Sequence, residues 1–208
     1  MIITVGNTKG GVGKSTIACN FAAMAAQEGK KVLLIDSDPQ ASSLNFRSIR
    51  ESDDIKAMSI TTPTLHKDVS DFDNFELIII DAGGRDSVIF RSAILASDVL
   101  IIPVLPSVYD IWATADTIEI VKEAKLYNEN MVSRFLLNMV MPNTIMGRDV
   151  LEALQEREDI PLLESHIGAR QDFKNALVYG KGVVEYTPKS KAALELAACY
   201  AEIMKLGE

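Results

Sequence analysis

The sequence predicts an α/β fold: a single doubly wound, mainly parallel sheet with helices on both faces. Short β-branched runs alternate with longer stretches of helical periodicity. The run Leu77-Ile78-Ile79-Ile80 is apolar at every position, as a strand covered on both faces must be. A chain of 208 residues is long enough to bury one full core without division.

The elements follow in order. Strands are expected at 2–5, 31–35, 77–80, 99–103 and 133–139, with a weaker pattern at 162–166. Helices are expected at 14–28, 41–50, 85–96, 109–127, 147–155, 170–178 and 190–206. Residues 51–74 are polar and patternless except for Ile60-Thr61-Thr62-Pro63-Thr64-Leu65, which suits a short edge strand. Neither an internal repeat nor a low-complexity segment divides the chain, so residues 1–208 are expected to form one domain.

Composition narrows the function. A hydrophobic content of 48% with 24% charged residues excludes a disordered chain. Cys19 and Cys199 lie in apolar stretches and read as small core hydrophobes, not as a disulfide framework or a metal centre. The opening Met1-Ile2-Ile3-Thr4-Val5 lacks a secretion signal, and no apolar run approaches the roughly 18 residues of a membrane span, so a cytoplasmic protein is expected. A net charge of −8 argues against wholesale nucleic-acid binding by one copy but leaves room for a local basic patch.

Chemistry concentrates between the first strand and the first helix, in Lys9-Gly10-Gly11-Val12-Gly13-Lys14-Ser15-Thr16. Glycines let the backbone curl so that its N–H groups converge on phosphate oxygens, and the helix that follows points its positive end at the same anion. Lys14 supplies a charge for the β- and γ-phosphates, and the Ser15 hydroxyl suits Mg²⁺. The segment therefore predicts a phosphate loop binding ATP and Mg²⁺. Where the general pattern has its first glycine this chain has Thr8, and a second lysine, Lys9, precedes the glycine pair.

Two strands end in carboxylates. The first runs Leu33-Leu34-Ile35-Asp36-Ser37-Asp38-Pro39-Gln40. On the residues alone, Asp36 and Asp38 suit an acidic loop end or helix cap as well as a ligand site. The second is Ile80-Asp81-Ala82-Gly83-Gly84, the Walker B arrangement of a hydrophobic strand ending in an Asp that meets Mg²⁺ through water. Gly83 and Gly84 follow as a flexible switch.

The loop Lys-Gly-Gly-x-x-Lys-Ser resembles the deviant Walker A class, and the chain as a whole is similar to the ParA-type partition ATPases, in the short form without an N-terminal DNA-binding domain. The similarity extends through Val99-Leu100-Ile101-Ile102-Pro103-Val104, Leu136-Leu137-Asn138-Met139 and a late segment from Ala176 to Pro188. The resemblance implies that Lys9 reaches across a homodimer to the partner's ATP, joining Lys14 and Asp38 as catalytic residues. Asp36-Ser37-Asp38-Pro39-Gln40 looks like the family's first switch, with the Gly83-Gly84 segment as the second; Asp38 would orient the attacking water, Asp36 would act near the Mg²⁺ shell with Ser15 and Asp81, and Asn138 would contact adenine, although Asn138 also suits a satisfied turn. Family members usually follow the Walker B Asp with Thr-Pro-Pro; here Ala82-Gly83-Gly84-Arg85-Asp86-Ser87 leaves the switch movement and any role of Arg85 open, Arg85 suiting an Asp86 or solvent partner better than a catalytic finger.

The implied cycle is an ATP-dependent homodimer that binds DNA without sequence preference, associates with the nucleoid, positions a cargo and is released when an adaptor protein stimulates hydrolysis. Candidate DNA contacts are Arg170, Lys174, Lys181, Lys189 and Lys191, which equally fit scattered solubilising charge. Two other outputs of the fold remain as alternatives. A MinD-like membrane-cycling ATPase would need a basic amphipathic tail, whereas residues 192–208 carry Glu195, Glu202 and Glu208 against Lys205, so no membrane partner is expected. An ATP-dependent ligase or synthetase, such as a dethiobiotin-synthetase-like enzyme, would need substrate residues that the sequence does not identify.

Overall fold

The computed structural model describes residues 1–141, 154 and 159–207. Its strands are β1 (Ile2–Val5), β2 (Val32–Asp36), β3 (Ile55–Ser59), β4 (Leu77–Asp81), β5 (Val99–Val104) and β6 (Val132–Leu137). They form a six-stranded sheet in the order β3-β2-β4-β1-β5-β6, parallel at every pairing. The helices are α1 (Lys14–Gln27), α2 (Ser42–Ile49), α3 (Leu65–Asp68), α4 (Val88–Leu95), α5 (Val108–Ala113), α6 (Ala115–Lys125), α7 (Gln171–Val178), α8 (Val183–Tyr186) and α9 (Lys191–Met204).

Period-two alternation in the strands builds two cores. Val32 and Leu34, Leu77 and Ile79, and Val99 and Ile101 face one layer, where Phe21 of α1 and Leu196, Tyr200 and Ile203 of α9 pack. Leu33 and Ile35, Ile78 and Ile80, and Leu100 and Ile102 face the other, against Phe90 and Ile94 of α4 and Ile118 and Val121 of α6. Burial on both faces explains the unbroken apolar runs in β2, β4 and β5.

Four expectations shift. The edge strand at the 60–65 run is instead β3, which begins at Ile55, while Leu65 starts α3. In β3, Ile55 is buried and Lys56 faces solvent, the half-covered pattern that a long apolar signal cannot flag. The 162–166 segment is no regular strand: among the described residues it meets the sheet through an isolated Phe135–Leu162 bridge. The predicted 109–127 helix divides at Thr114, and the helix predicted from 85 begins after Ser87, whose hydroxyl accepts the Phe90 N–H. The predicted 147–155 helix falls outside the described residues except Leu154.

Candidate functional site

Parallel strands bring their carboxyl ends to one edge, and there the predicted residues meet. Asp36 and Asp81 are register partners on β2 and β4, and Asp81 also pairs with Val5, where the chain leaves β1 for the phosphate loop. The loop closes on Gly13, which caps α1 with φ 93°. A Cβ at Gly13 would lie 2.4 Å from Asn138 Nδ2, so both backbone conformation and space demand glycine.

Lys14 is buried and folds back to donate from Nζ to Lys9 O at 2.9 Å. Desolvation holds its ammonium below the usual lysine range, while Asp81 and Asp38 pull the other way. The glycine pair of the second switch closes over it: a Cβ on Gly84 would sit 3.1 Å from Lys14 Nζ, and one on Gly83 would sit 3.7 Å from Asp38 Oδ2. Lys14, Asp38 and the switch therefore converge. The Asp38 Oδ1 itself accepts the Gln40 N–H at 2.9 Å, which shapes the turn into α2.

Asp81 is fully buried. Its Oδ2 accepts the Ser43 hydroxyl at 2.5 Å, and its Oδ1 is buried without a hydrogen-bond partner. Burial pushes this carboxyl up to about 6, against the pull of the Ser43 and Ser15 hydroxyls. An orphaned carboxylate oxygen facing a serine hydroxyl fits Mg²⁺, which binds few protein groups and keeps waters and phosphate oxygens.

Asp36, expected near the Mg²⁺ shell, is also tied to the backbone that follows it. Its Oδ1 accepts the Asp38 N–H, and its Oδ2 accepts those of Ser43 and Leu44 at 2.8 and 3.2 Å. These bonds seat residues 36–40 and the start of α2. Burial nevertheless raises the Asp36 carboxyl above the usual range.

Lys9 points away from the phosphate loop. Its Nζ lies 2.7 Å from Oδ1 of Asp110, a buried carboxylate on α5. Neighbouring Asn7 donates to Pro103 O at 2.8 Å and accepts from Thr117 of α6 and from the Lys9 N–H. Asn7, Ser43, Asp110 and Thr117 were not among the predicted residues. Their signal was faint: single polar positions in apolar surroundings, with partners up to 110 residues away.

Asn138, just beyond β6, is buried and donates to Val12 O at 2.8 Å, which makes it a brace for the phosphate loop. Beside it, Thr16, Met139, Gly168, Arg170 and Phe173 line a cleft along the first turn of α1. The basic candidates divide. Arg170 is paired with Glu195 at 2.6 Å, Lys174 stands on the rim of that cleft, and Lys181, Lys189 and Lys191 are exposed. Of the two partners expected for Arg85, solvent and Asp86, it meets solvent, while Asp86 pairs with Arg91.

A glycine loop capping a helix, a buried lysine, and an unsatisfied Asp on the adjacent strand end define a P-loop nucleotide-binding protein. Residues 3–183 match the CobQ/CobB/MinD/ParA nucleotide-binding domain, and the chain belongs to that family. It is 31% identical over 215 residues to maintenance of carboxysome distribution protein A of Gloeobacter kilaueensis, covering 97% of this chain and 91% of the relative. The protein of the same name from Halothiobacillus neapolitanus is 29% identical over 202 residues, covering 93% and 91%. Among solved structures, the septum site-determining protein MinD of Pyrococcus horikoshii, complexed with Mg-ADP, superposes with a TM-score of 0.78 at 20% identity, covering 99% of this chain and 96% of that one.

Proposed function

We propose that this protein is a ParA-type positioning ATPase: it binds Mg²⁺–ATP, closes into a homodimer around the nucleotide, and in that state binds DNA without sequence preference. An adaptor protein that stimulates hydrolysis would release it, and the cargo moves with the cycle. The observation that carries the reading is the placement of Lys9. This lysine belongs to the loop yet points away from it, held at its lip by Asp110.

The residues divide the work. Lys14, the loop amides and the N-terminus of α1 bind the phosphates. Ser15 and Asp81 would hold Mg²⁺, which when bound neutralises phosphate charge. Asp38, beside Gly83, would orient a water, and Asn138 keeps the loop in register beside the cleft where a base would lie. Removing Lys9 from Asp110 strips a buried carboxylate of its ion-pair partner, which costs free energy. Only a second copy's triphosphate would offset that cost, so ADP leaves the protein monomeric.

The tail supports DNA over membrane as the surface. Ala192, Ala193, Leu196, Cys199, Tyr200 and Ile203 are spent on the core, which leaves Leu194 as the one exposed large apolar side chain of α9, and the acidic Glu195 and Glu202 on the same helix disfavour an anionic bilayer. Among the described residues no helix is long and apolar enough to cross a membrane. The test is DNA binding at fixed salt with ADP, ATP and a slowly hydrolysed analogue. The reading predicts binding with ATP or the analogue alone, lost steeply as salt rises. ATP turnover that responds to a carboxylate or amine substrate, and not to DNA with an adaptor, would instead mark a ligase.

A further inference from the structure

The first turn of α2 contains a residue that the nucleotide chemistry above does not use. Ser43 is completely buried, and it joins three elements. Its hydroxyl donates to Asp81 Oδ2 at the end of β4, at 2.5 Å. Its N–H donates to Asp36 Oδ2 at the end of β2. The thiol of Cys19, on α1, donates to Ser43 Oγ at 3.6 Å.

The donor pattern fixes the direction of the hydroxyl. An ionised carboxylate only accepts, and the thiol hydrogen occupies one lone pair of Oγ, so the Ser43 proton points at Asp81. One carboxylate oxygen is thereby occupied and the plane of the group set. The remaining oxygen, Oδ1, is the buried one without a partner. The helix carrying Ser43 follows directly from the Asp38 switch, and enters through a left-handed residue, Ala41 at φ 53°. No side chain of that N-cap bonds to the helix; Asp36 and the Ser43–Asp81 contact seat it instead.

We propose that Ser43 is a positioning residue for Mg²⁺: its hydroxyl orients the Asp81 carboxylate so that Oδ1 is presented to the metal's shell, and couples occupation of that shell to the seating of α2 behind the first switch. The inference rests on the Mg²⁺–nucleotide reading of the site. Partners that orient a metal-binding carboxylate are commonly worth about 10–100-fold in metal affinity. A serine that merely filled space would affect the stability of the ligand-free protein without moving that affinity.

Equilibrium binding of a fluorescent ATP analogue, titrated with Mg²⁺, separates these roles. Ser43→Ala should bind the analogue without Mg²⁺ as the unsubstituted protein does, and need about tenfold more Mg²⁺ to reach half of the metal-dependent gain. Ser43→Cys keeps the shape and a weak donor, so its midpoint should fall between the two, and it serves if the alanine form does not fold. Hydrogen exchange supplies a second readout: Mg²⁺–nucleotide should slow exchange in α2 of the unsubstituted protein, and less so in the variants. Unchanged Mg²⁺ midpoints in folded variants, with or without a lower melting temperature, would overturn the proposal. If the unsubstituted protein itself shows no Mg²⁺-dependent gain, the fault lies with the Mg²⁺–nucleotide reading.

Discussion

The two ends of the phosphate loop are built differently. The Gly13–Lys14 end is closed on itself: a glycine packed against Asn138, a buried lysine bonded to its own loop, and a helix immediately behind. The Asn7–Lys9 end is tied outward, through Thr117 to α6 and through Asp110 to α5. One end is a finished receptor for phosphate. The other is held by an acid in its own chain, and under the proposed cycle this difference would separate nucleotide binding from what nucleotide binding triggers.

Substitutions at the closed end should have the largest effect. Lys14→Ala should weaken ATP binding by about 100-fold, as loss of a charge-assisted contact to phosphate does, measured by titration with a fluorescent analogue. Lys9→Ala should leave that affinity within a few-fold, because the lysine does not face its own loop. Equal losses from both substitutions would erase the distinction between the ends.

Asp81→Asn should produce opposite effects on stability and binding. Folded Asp81 holds its proton more tightly than the unfolded chain does, 3.8 rising to about 6. Its stabilising contribution is therefore full below pH 3.8 and lost as pH rises toward 6. Replacing it should raise the ligand-free stability at pH 7 by roughly 1–3 kcal/mol, flatten the melting profile between those pH values, and abolish the Mg²⁺-dependent gain in nucleotide affinity. A melting temperature that falls at pH 7 would contradict the burial argument.

Asp110→Asn sharpens the comparison at the open end. Keeping the shape but not the charge should free Lys9 and lower the ATP concentration for half-maximal dimer formation by about three- to tenfold, read by light scattering. Arg170→Ala should do least. Glu195 already engages its charge, so DNA affinity should fall less than on replacing Lys174, Lys181, Lys189 or Lys191.

What the sequence displayed was whatever the backbone dictates locally. Apolar runs gave the central strands, and glycine spacing between β1 and α1 gave the phosphate loop, because both depend on neighbours in the chain. The carboxylates at the ends of β2 and β4 were visible for the same reason, but not their division of labour: Asp36 and Asp81 look alike until Ser43 and Leu44 amides claim the first. Asp110 and Thr117 were illegible because their meaning lies in contacts 101 and 109 residues away in the chain, with Lys9 and Thr8. Arg170 read as an available cation, and its pairing with Glu195, 25 residues on, is a tertiary contact the chain does not display locally.

Mass by light scattering, for the unsubstituted protein and Lys9→Ala, each loaded with a slowly hydrolysed ATP analogue, bears most directly on the lysine arm. The account predicts that the unsubstituted protein doubles its mass with the analogue and stays single with ADP, while Lys9→Ala stays single with analogue bound. A nucleotide-loaded Lys9→Ala protein that doubles its mass as readily would contradict it.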